Sequence, residues 1–228
     1  MLLLGIPANP TGAVPTPADL RQIGDWCARH GIRVVLDQVY EPLTWAEAGV
    51  RPYHVLRRAG ADVVAVDGVS KSYRMPGWRV GWLIADDVTV KASTAVLSHT
   101  TNHASRIPQA AALAALTGDQ SDLAQLRRQL LRNRDVVKDL LGQSDLVDLG
   151  SVDGTFYAFP SFSRFLNASR RFKDSTELAK SLLGETGVAV MPGAVFGAPE
   201  HARLSFAQDS ETLEAALSTI LDFLRVSA

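Results

Sequence analysis

The chain has 228 residues, 46% of them hydrophobic, which is enough to bury one or two substantial cores. Its 23 basic and 24 acidic residues leave a formal net charge of -1, so the composition argues against a nucleic-acid partner. Cys27 is the single cysteine, which excludes an internal disulfide framework and a zinc site made of cysteines from one chain. We predict no metal site.

The first part of the chain alternates predicted strands with predicted helices. Apolar runs at 2–6, 34–36 and 63–66 predict strands, and a helix is predicted over 16–30, where Thr-Pro opens the segment and His-Gly closes it. Residues 79–84 resemble a fourth strand. This order predicts an α/β fold with a mostly parallel sheet.

The remainder is predicted to be helical first and then mixed. Regularly spaced leucines over 121–141 predict a long amphipathic helix, and within it we place the boundary between a first domain at 1–130 and a second at 131–228. The second domain is predicted to contain strands at 154–160, 188–191 and 203–206 and helices at 174–185 and 210–225.

A lysine and an arginine, Lys71 and Arg79, flank a glycine-bearing turn after the third strand. A lysine can hold an aldehyde cofactor as a Schiff base while a planar guanidinium binds an anionic group on it, and pyridoxal phosphate is the obvious candidate. Ligands of open α/β sheets collect beyond the carboxyl ends of the strands. We therefore expect the residues that follow the first three strands to converge on one site.

Four motifs, in their order and spacing, resemble the class I and II aminotransferase family, which comprises fold type I pyridoxal-phosphate enzymes. They are Asn9-Pro10-Thr11-Gly12, Asp37-x-x-Tyr40, Ser70-Lys71 and Gly-Trp-Arg-x-Gly at 77–81. Gly-Thr-Phe-Tyr at 154–157, Pro192-Gly193 with Phe196-Gly197, and Arg-Leu-Ser-Phe at 203–206 extend the likeness along the chain. The resemblance implies part of a large cofactor-binding domain followed by a smaller carboxy-terminal α/β domain.

The resemblance implies three catalytic residues, Lys71, Asp37 and Tyr40. Lys71 would carry the Schiff base and then move the proton at the substrate's alpha carbon. Asp37 would pair with the pyridine nitrogen and favour its protonated form, although an ordinary turn or helix-cap role is the alternative. Tyr40 and Asn9 would hydrogen-bond the phenolic oxygen of the cofactor.

Anion binding is implied for three further positions. Arg79 would bind the cofactor phosphate, and Ser70 would add a hydroxyl. Many relatives also use a serine three positions before the lysine, where this chain has Gly68. Arg203, with Asn9, would bind the substrate's alpha-carboxylate, the alternative being a solvated arginine at the start of a strand.

The implied activity is the transfer of an amino group between an amino acid and a 2-oxo acid. The resemblance implies a homodimer, and we expect a cytoplasmic protein without a membrane partner, because the amino-terminal apolar run is too short for a signal or a membrane span. Two alternatives stay open. One is a lyase or synthase that uses the same cofactor and fold. The other is a truncated or split, catalytically silent module, since relatives carry a long portion before the Asn-Pro-Thr-Gly motif, which begins here at residue 9.

Overall fold

The computed structural model describes residues 1–45, 50–169 and 171–227. The chain forms two compact units, the first made of Met1–Ala8 and Val14–Gln125 and the second of Asn9–Ala13 and Leu126–Ala228. The short segment 9–13 thus groups with the carboxy-terminal unit. The domain boundary at 130 stays a prediction.

The first unit contains a four-stranded sheet with helices. Its elements are β1 (Leu2–Gly5), α1 (Pro17–Arg29), β2 (Val34–Asp37), α2 (Pro52–Arg58), β3 (Val63–Gly68), β4 (Gly81–Ile84), α3 (Asp87–Ser98) and α4 (Arg106–Thr117), with short 3-10 helices at Glu41–Leu43 and Pro76–Trp78. The strand order is β1-β2-β3-β4, in which β1, β2 and β3 are parallel and β4 is antiparallel to β3. The strand predicted at 79–84 is therefore present, but it begins at Gly81.

One face of this sheet carries the core of the first unit. Alternate residues of β2 and β3, such as Leu36 and Ala65, are buried together with Leu20 and Cys27 of α1 and Leu56 of α2. Since side chains alternate between the two faces of a strand, this pattern fixes which residues of β2 and β3 point away from α1 and α2.

The strands of the first unit are tied together by Arg33, which lies just before β2. Its Nε donates to the Asp62 carboxylate (2.6 Å), and its two Nη atoms donate to Thr89 Oγ1 (2.9 Å) and to the Asp86 carboxylate (3.3 Å). Asp62 precedes β3, and Asp86 follows β4. Arg33 therefore links the starts of β2 and β3 to the end of the antiparallel strand.

The second unit is a small α/β domain. Its elements are most of α5 (Ser121–Gly142), β5 (Tyr157–Ala158), α6 (Ser163–Ala168), α7 (Ser175–Thr186), β6 (Met191–Pro192), β7 (Ala202–Ser205) and α8 (Ser210–Ser227), with a 3-10 helix at Gly193–Phe196. The strands form an antiparallel sheet in the order β5-β7-β6. Its fully buried side chains include Phe162, Phe165, Phe206, Leu217 and Leu224.

Within the parts of the chain that the structure describes, no helix is both long and apolar enough to cross a bilayer. The same residues contain no cluster of three or more histidine, cysteine, aspartate or glutamate side chains that could hold a metal ion.

A fully buried amide, that of Asn133 in α5, fixes the chain that leaves β7. Its Nδ2 donates to the carbonyl oxygens of Phe206 and Gln208 (both 2.8 Å), and its Oδ1 accepts from Ser210 Oγ (2.7 Å). Buried polar groups without a partner are costly, and this amide bonds two carbonyl groups of the segment between β7 and α8. It also anchors the strand that carries Arg203.

Asn133→Ala removes three hydrogen bonds from this buried position. We expect it to lower the free energy of unfolding by about 1–3 kcal/mol, the usual cost of leaving buried polar partners unsatisfied. Arg132→Ala is the matched control, because Arg132 is the exposed neighbour in the same helix. Urea unfolding of the two variants measures the difference, and equal midpoints would contradict a stabilising role for the amide.

Candidate active site

The carboxyl ends of β2 and β3 bring Asp37 close to the segment that leads to Lys71. In the parallel pairing of these strands, Asp37 is the register partner of Val66, and β3 ends two residues later at Gly68. The Asp37 carboxylate is exposed, and its Oδ1 accepts a hydrogen bond from the backbone N–H of Val39 (3.1 Å). This bond orients a carboxylate that faces solvent at the edge of the sheet.

Lys71 lies in the turn after β3, partly buried against Tyr40. Its Nζ is 5.7 Å from the centroid of the Tyr40 ring, a distance at which an ammonium is attracted to an aromatic face. The tyrosine follows β2 and is only 6% exposed. The buried ring thus provides a fixed surface beside the lysine amine.

Arg79 ends the short helix Pro76–Trp78 in a left-handed conformation, with φ 53° and ψ 48°. A non-glycine residue adopts this conformation at a cost of roughly 1–2 kcal/mol, so it marks a position that its surroundings impose. The side chain is exposed, and its Nη1 donates to the Pro76 carbonyl oxygen (2.9 Å). Ser70 is half-buried directly before Lys71.

Two glycines face each other where β3 meets β4. Gly68 and Gly81 are register partners, and a Cβ on Gly68 would lie 3.1 Å from the Val80 carbonyl oxygen. The close approach leaves little space for a side chain at Gly68, three residues before Lys71.

These residues fit pyridoxal phosphate. Lys71 offers an amine for the aldehyde and Asp37 a carboxylate for the pyridine nitrogen, while Arg79 and Ser70 offer a guanidinium and a hydroxyl for the phosphate. The donor set therefore matches three polar groups of that cofactor, the aldehyde, the pyridine nitrogen and the phosphate.

In the second unit, Arg203 and Asn9 are in direct contact. Arg203 lies in β7, and its Nη1 donates to Asn9 Oδ1 (2.9 Å). The guanidinium carbon also lies over two aromatic rings, 4.3 Å from the centroid of Tyr157 and 5.2 Å from that of Phe196. Such a guanidinium can present its remaining N–H groups to a carboxylate.

The Asn-Pro-Thr-Gly segment is held against the chain that leads into Tyr157. Gly12 has φ +69°, and a Cβ there would lie 3.0 Å from the Gly154 carbonyl oxygen. The Gly12 carbonyl oxygen accepts from the backbone N–H of Asp153 (3.1 Å). Only glycine combines this conformation with this close approach, so Gly12 places Asn9 in the second unit.

The structure thus groups the predicted residues by unit. Asp37, Tyr40, Ser70, Lys71 and Arg79 belong to the first unit, and Asn9 and Arg203 to the second. The individual roles assigned to these residues stay predictions.

Two aromatic residues beside Arg203, Tyr157 and Phe196, were missed as site residues. Both lie within motifs that the sequence resemblance includes, Gly-Thr-Phe-Tyr and Phe-Gly, so the signal was present without a role attached to it.

Asp67, the residue before Gly68, was also missed. Burial raises the pKa of its carboxyl group, and the nearby charge of Asp37 raises it further. Hydrogen bonds from the Gly68 backbone N–H (2.6 Å) and from Gln38 Nε2 (3.2 Å) act in the opposite direction. A second acidic group therefore stands next to the candidate cofactor site.

The chain matches a family model described as aminotransferase class I and II over residues 1–220. The chain belongs to this family. It is 40% identical to an aspartate aminotransferase of Streptomyces avermitilis, covering 98% of this chain and 56% of that protein. It is 34% identical to an asparagine–oxo-acid transaminase of Streptococcus mutans, covering 98% and 57%.

Solved structures of aminotransferases have the same fold as this member of the class I and II family. The aspartate aminotransferase from Rhizobium meliloti superimposes with a TM-score of 0.89 at 32% identity, over 98% of this chain and 57% of that one. The predicted fold class, α/β of fold type I, is confirmed. The chain spans a little more than half the length of the curated relatives it matches.

Gly12→Ala tests the close approach of the Asn-Pro-Thr-Gly segment. We expect a clear loss of stability, because the new methyl group meets the Gly154 carbonyl oxygen in addition to the cost of positive φ. Gly31→Ala is the matched control, since Gly31 has φ +62° but no atom within 4 Å of its Cβ position. Thermal unfolding should show a larger decrease for Gly12→Ala, and equal decreases would contradict the steric account.

Asp67→Asn tests the raised pKa. Because the pKa of Asp67 is raised in the folded state, ionising its carboxyl destabilises the fold. The protein therefore loses stability as the pH rises from the unfolded-state pKa of about 3.9 through the higher folded-state pKa. We therefore expect the variant to gain stability over the unmodified chain across that window and to keep a constant advantage above it. Urea unfolding of both proteins from about pH 4 to about pH 8 measures the difference in their free energies of unfolding. An advantage that does not change with pH would refute this assignment.

Proposed function

We propose that this chain acts as a pyridoxal-phosphate-dependent aminotransferase, moving an amino group between an amino acid and a 2-oxo acid. The observation that carries the proposal is that Lys71 lies against the buried Tyr40 ring. Lys71 follows β3, which pairs with β2, and β2 ends at Asp37. Membership of the class I and II family supports the reaction class.

Pyridoxal phosphate, when bound, supplies an electron sink for the negative charge that develops at the substrate's alpha carbon. The proposal assigns its covalent attachment to Lys71 and its phosphate to Arg79 and Ser70. A guanidinium suits a phosphate because it donates two parallel hydrogen bonds, whereas a lysine offers a point charge. Arg79 has a fixed starting point for this contact in its bond to Pro76.

Asp37 would favour a proton on the pyridine nitrogen of the cofactor, because a carboxylate attracts a protonated ring. The backbone N–H of Val39 donates to Asp37 Oδ1 and holds the carboxylate in one orientation. Tyr40 and Asn9 would each hold the phenolic oxygen of the cofactor by a hydrogen bond. These contacts bind and orient the cofactor ring.

Lys71 also acts as the base. With the cofactor and an amino acid bound, the free amine of Lys71 would take the proton from the substrate's alpha carbon and hold it for return. The Tyr40 ring limits the positions that the lysine side chain can reach, which favours transfer between two fixed points.

Arg203 binds the alpha-carboxylate, the group that all amino-acid substrates share. Its contact with Asn9 Oδ1 uses one N–H donor and leaves others for a bidentate bond to the substrate. Aspartate is the first amino acid to test, because several relatives are named aspartate aminotransferases. A cytoplasmic homodimer is part of the same proposal.

A second candidate function is a silent or split module that needs a further polypeptide segment. Exposed apolar side chains favour it: Leu3 in the edge strand β1 is 70% exposed and Val88 in α3 is 76% exposed. Apolar side chains on an edge strand are typical of a surface that another segment covers. In that case the chain alone would bind little cofactor.

Titration of the purified chain with pyridoxal phosphate tests the proposal. We expect a visible absorbance band and, after borohydride reduction, a cofactor-bearing peptide that contains Lys71. Lys71→Ala should abolish both signals, because no other group in the proposed site can form the covalent bond. Lys91→Ala is the matched control, since Lys91 is an exposed lysine of α3.

The outcomes separate the two candidates. A band that depends on Lys71 and persists in Lys91→Ala supports the enzyme. A folded chain without any lysine-dependent band supports the silent or split module. Labelling of other lysines with equal yield would contradict the assignment of Lys71.

A further inference from the structure

We infer that Tyr157 is a positioning residue, whose ring holds the guanidinium of Arg203 in a fixed orientation before any ligand binds. The inference deepens the proposed function, since it concerns the residue proposed there to bind the alpha-carboxylate. It rests on a contact within the second unit, the guanidinium carbon lying 4.3 Å from the centroid of the Tyr157 ring.

The sheet of the second unit makes this contact possible. Tyr157 of β5 is the register partner of Ser205 of β7, and Arg203 lies two residues before that serine on the same strand. Diagonal neighbours of this kind on antiparallel strands are within reach of one another when both side chains are long. The pairing of β5 with β7 therefore brings the ring to the arginine.

The backbone before Tyr157 is itself constrained. Thr155 is completely buried and has φ 65°, a conformation that few threonines adopt. Its Oγ1 accepts a hydrogen bond from the Tyr157 backbone N–H (3.0 Å). This conformation is strained for a β-branched residue, so the surrounding structure must hold the turn in place. The backbone that bears the Tyr157 ring is therefore fixed.

A second ring supports the same guanidinium. Phe196 lies 5.2 Å from the guanidinium carbon, and its edge meets Phe159 with centroids 5.8 Å apart. Phe159 in turn stacks on His201 at 4.9 Å. Phe196 is thus backed by other rings, whereas Tyr157 makes the shorter contact with Arg203.

The consequence is a preorganised anion site. A free arginine side chain loses much rotational freedom when it binds a ligand, and that loss weakens binding. Contacts with Tyr157 and with Asn9 restrict Arg203 in advance, so a carboxylate meets a guanidinium already in place. The ring of Tyr157 provides this contact.

Arginine side-chain NMR tests the inference on the full chain without cofactor. The probe is propionate, titrated into protein labelled with ¹⁵N-arginine, with the Arg203 Nε–Hε signal assigned by its loss in Arg203→Lys. We expect the signal to be displaced by the ring current of Tyr157 and to move as propionate binds. Tyr157→Phe should keep both properties.

Tyr157→Leu should clearly reduce the ring-current displacement, leaving the contribution of the more distant Phe196 ring. It should also raise the Kd for propionate by roughly fivefold or more, the effect of a cation–aromatic contact of about 1 kcal/mol. Its thermal unfolding should remain close to that of Tyr157→Phe. An undisplaced Arg203 signal in the unmodified chain would overturn the inference, even if Tyr157→Leu fails to fold. Equal propionate affinity in folded Tyr157→Leu and Tyr157→Phe would overturn it as well.

Failure of the proposed function would look different. If propionate leaves the Arg203 signal unmoved while the displacement is present and is clearly reduced in Tyr157→Leu, the ring positions the arginine. Arg203 is then not a carboxylate ligand.

Discussion

The parallel pairing of β2 with β3 is the constraint on which the proposed cofactor site depends. It puts Asp37 in register with Val66. Asp37 and the turn that bears Lys71 therefore both lie at the carboxyl ends of the parallel strands. A slip of one residue would turn Asp37 to the opposite face, among the buried side chains of the core. Arg33, at the start of β2, opposes such a slip because it bonds Asp62 and Asp86 at once.

The two cationic side chains with central roles in the proposal share one physical arrangement. The Lys71 amine lies over the ring of Tyr40, and the Arg203 guanidinium lies over that of Tyr157. An aromatic ring attracts a cation without neutralising it, unlike a carboxylate partner. The arginine proposed to bind an anion gains from such a neighbour, since the ring restricts its side chain and leaves N–H groups available.

Motif spacing predicted much of the first unit from the sequence, because strand ends and the polar residues after them are local features. Contacts between distant segments could not be read in this way. Tyr157 reaches Arg203 only through the β5–β7 pairing, and Asn9 joins the second unit only because Gly12 fits against Gly154. Asp67 was missed for a related reason, since its raised pKa depends on burial and on Asp37 in the neighbouring strand.

The most direct test of the proposed reaction is a single half-reaction: the chain loaded with pyridoxal phosphate is mixed with aspartate, and the cofactor and the organic products are then identified. The account predicts conversion of the cofactor to pyridoxamine phosphate, together with an equal amount of the corresponding 2-oxo acid. Cofactor recovered as the aldehyde, with the amino acid unchanged or converted to a decarboxylated or eliminated product, would contradict amino-group transfer by this chain.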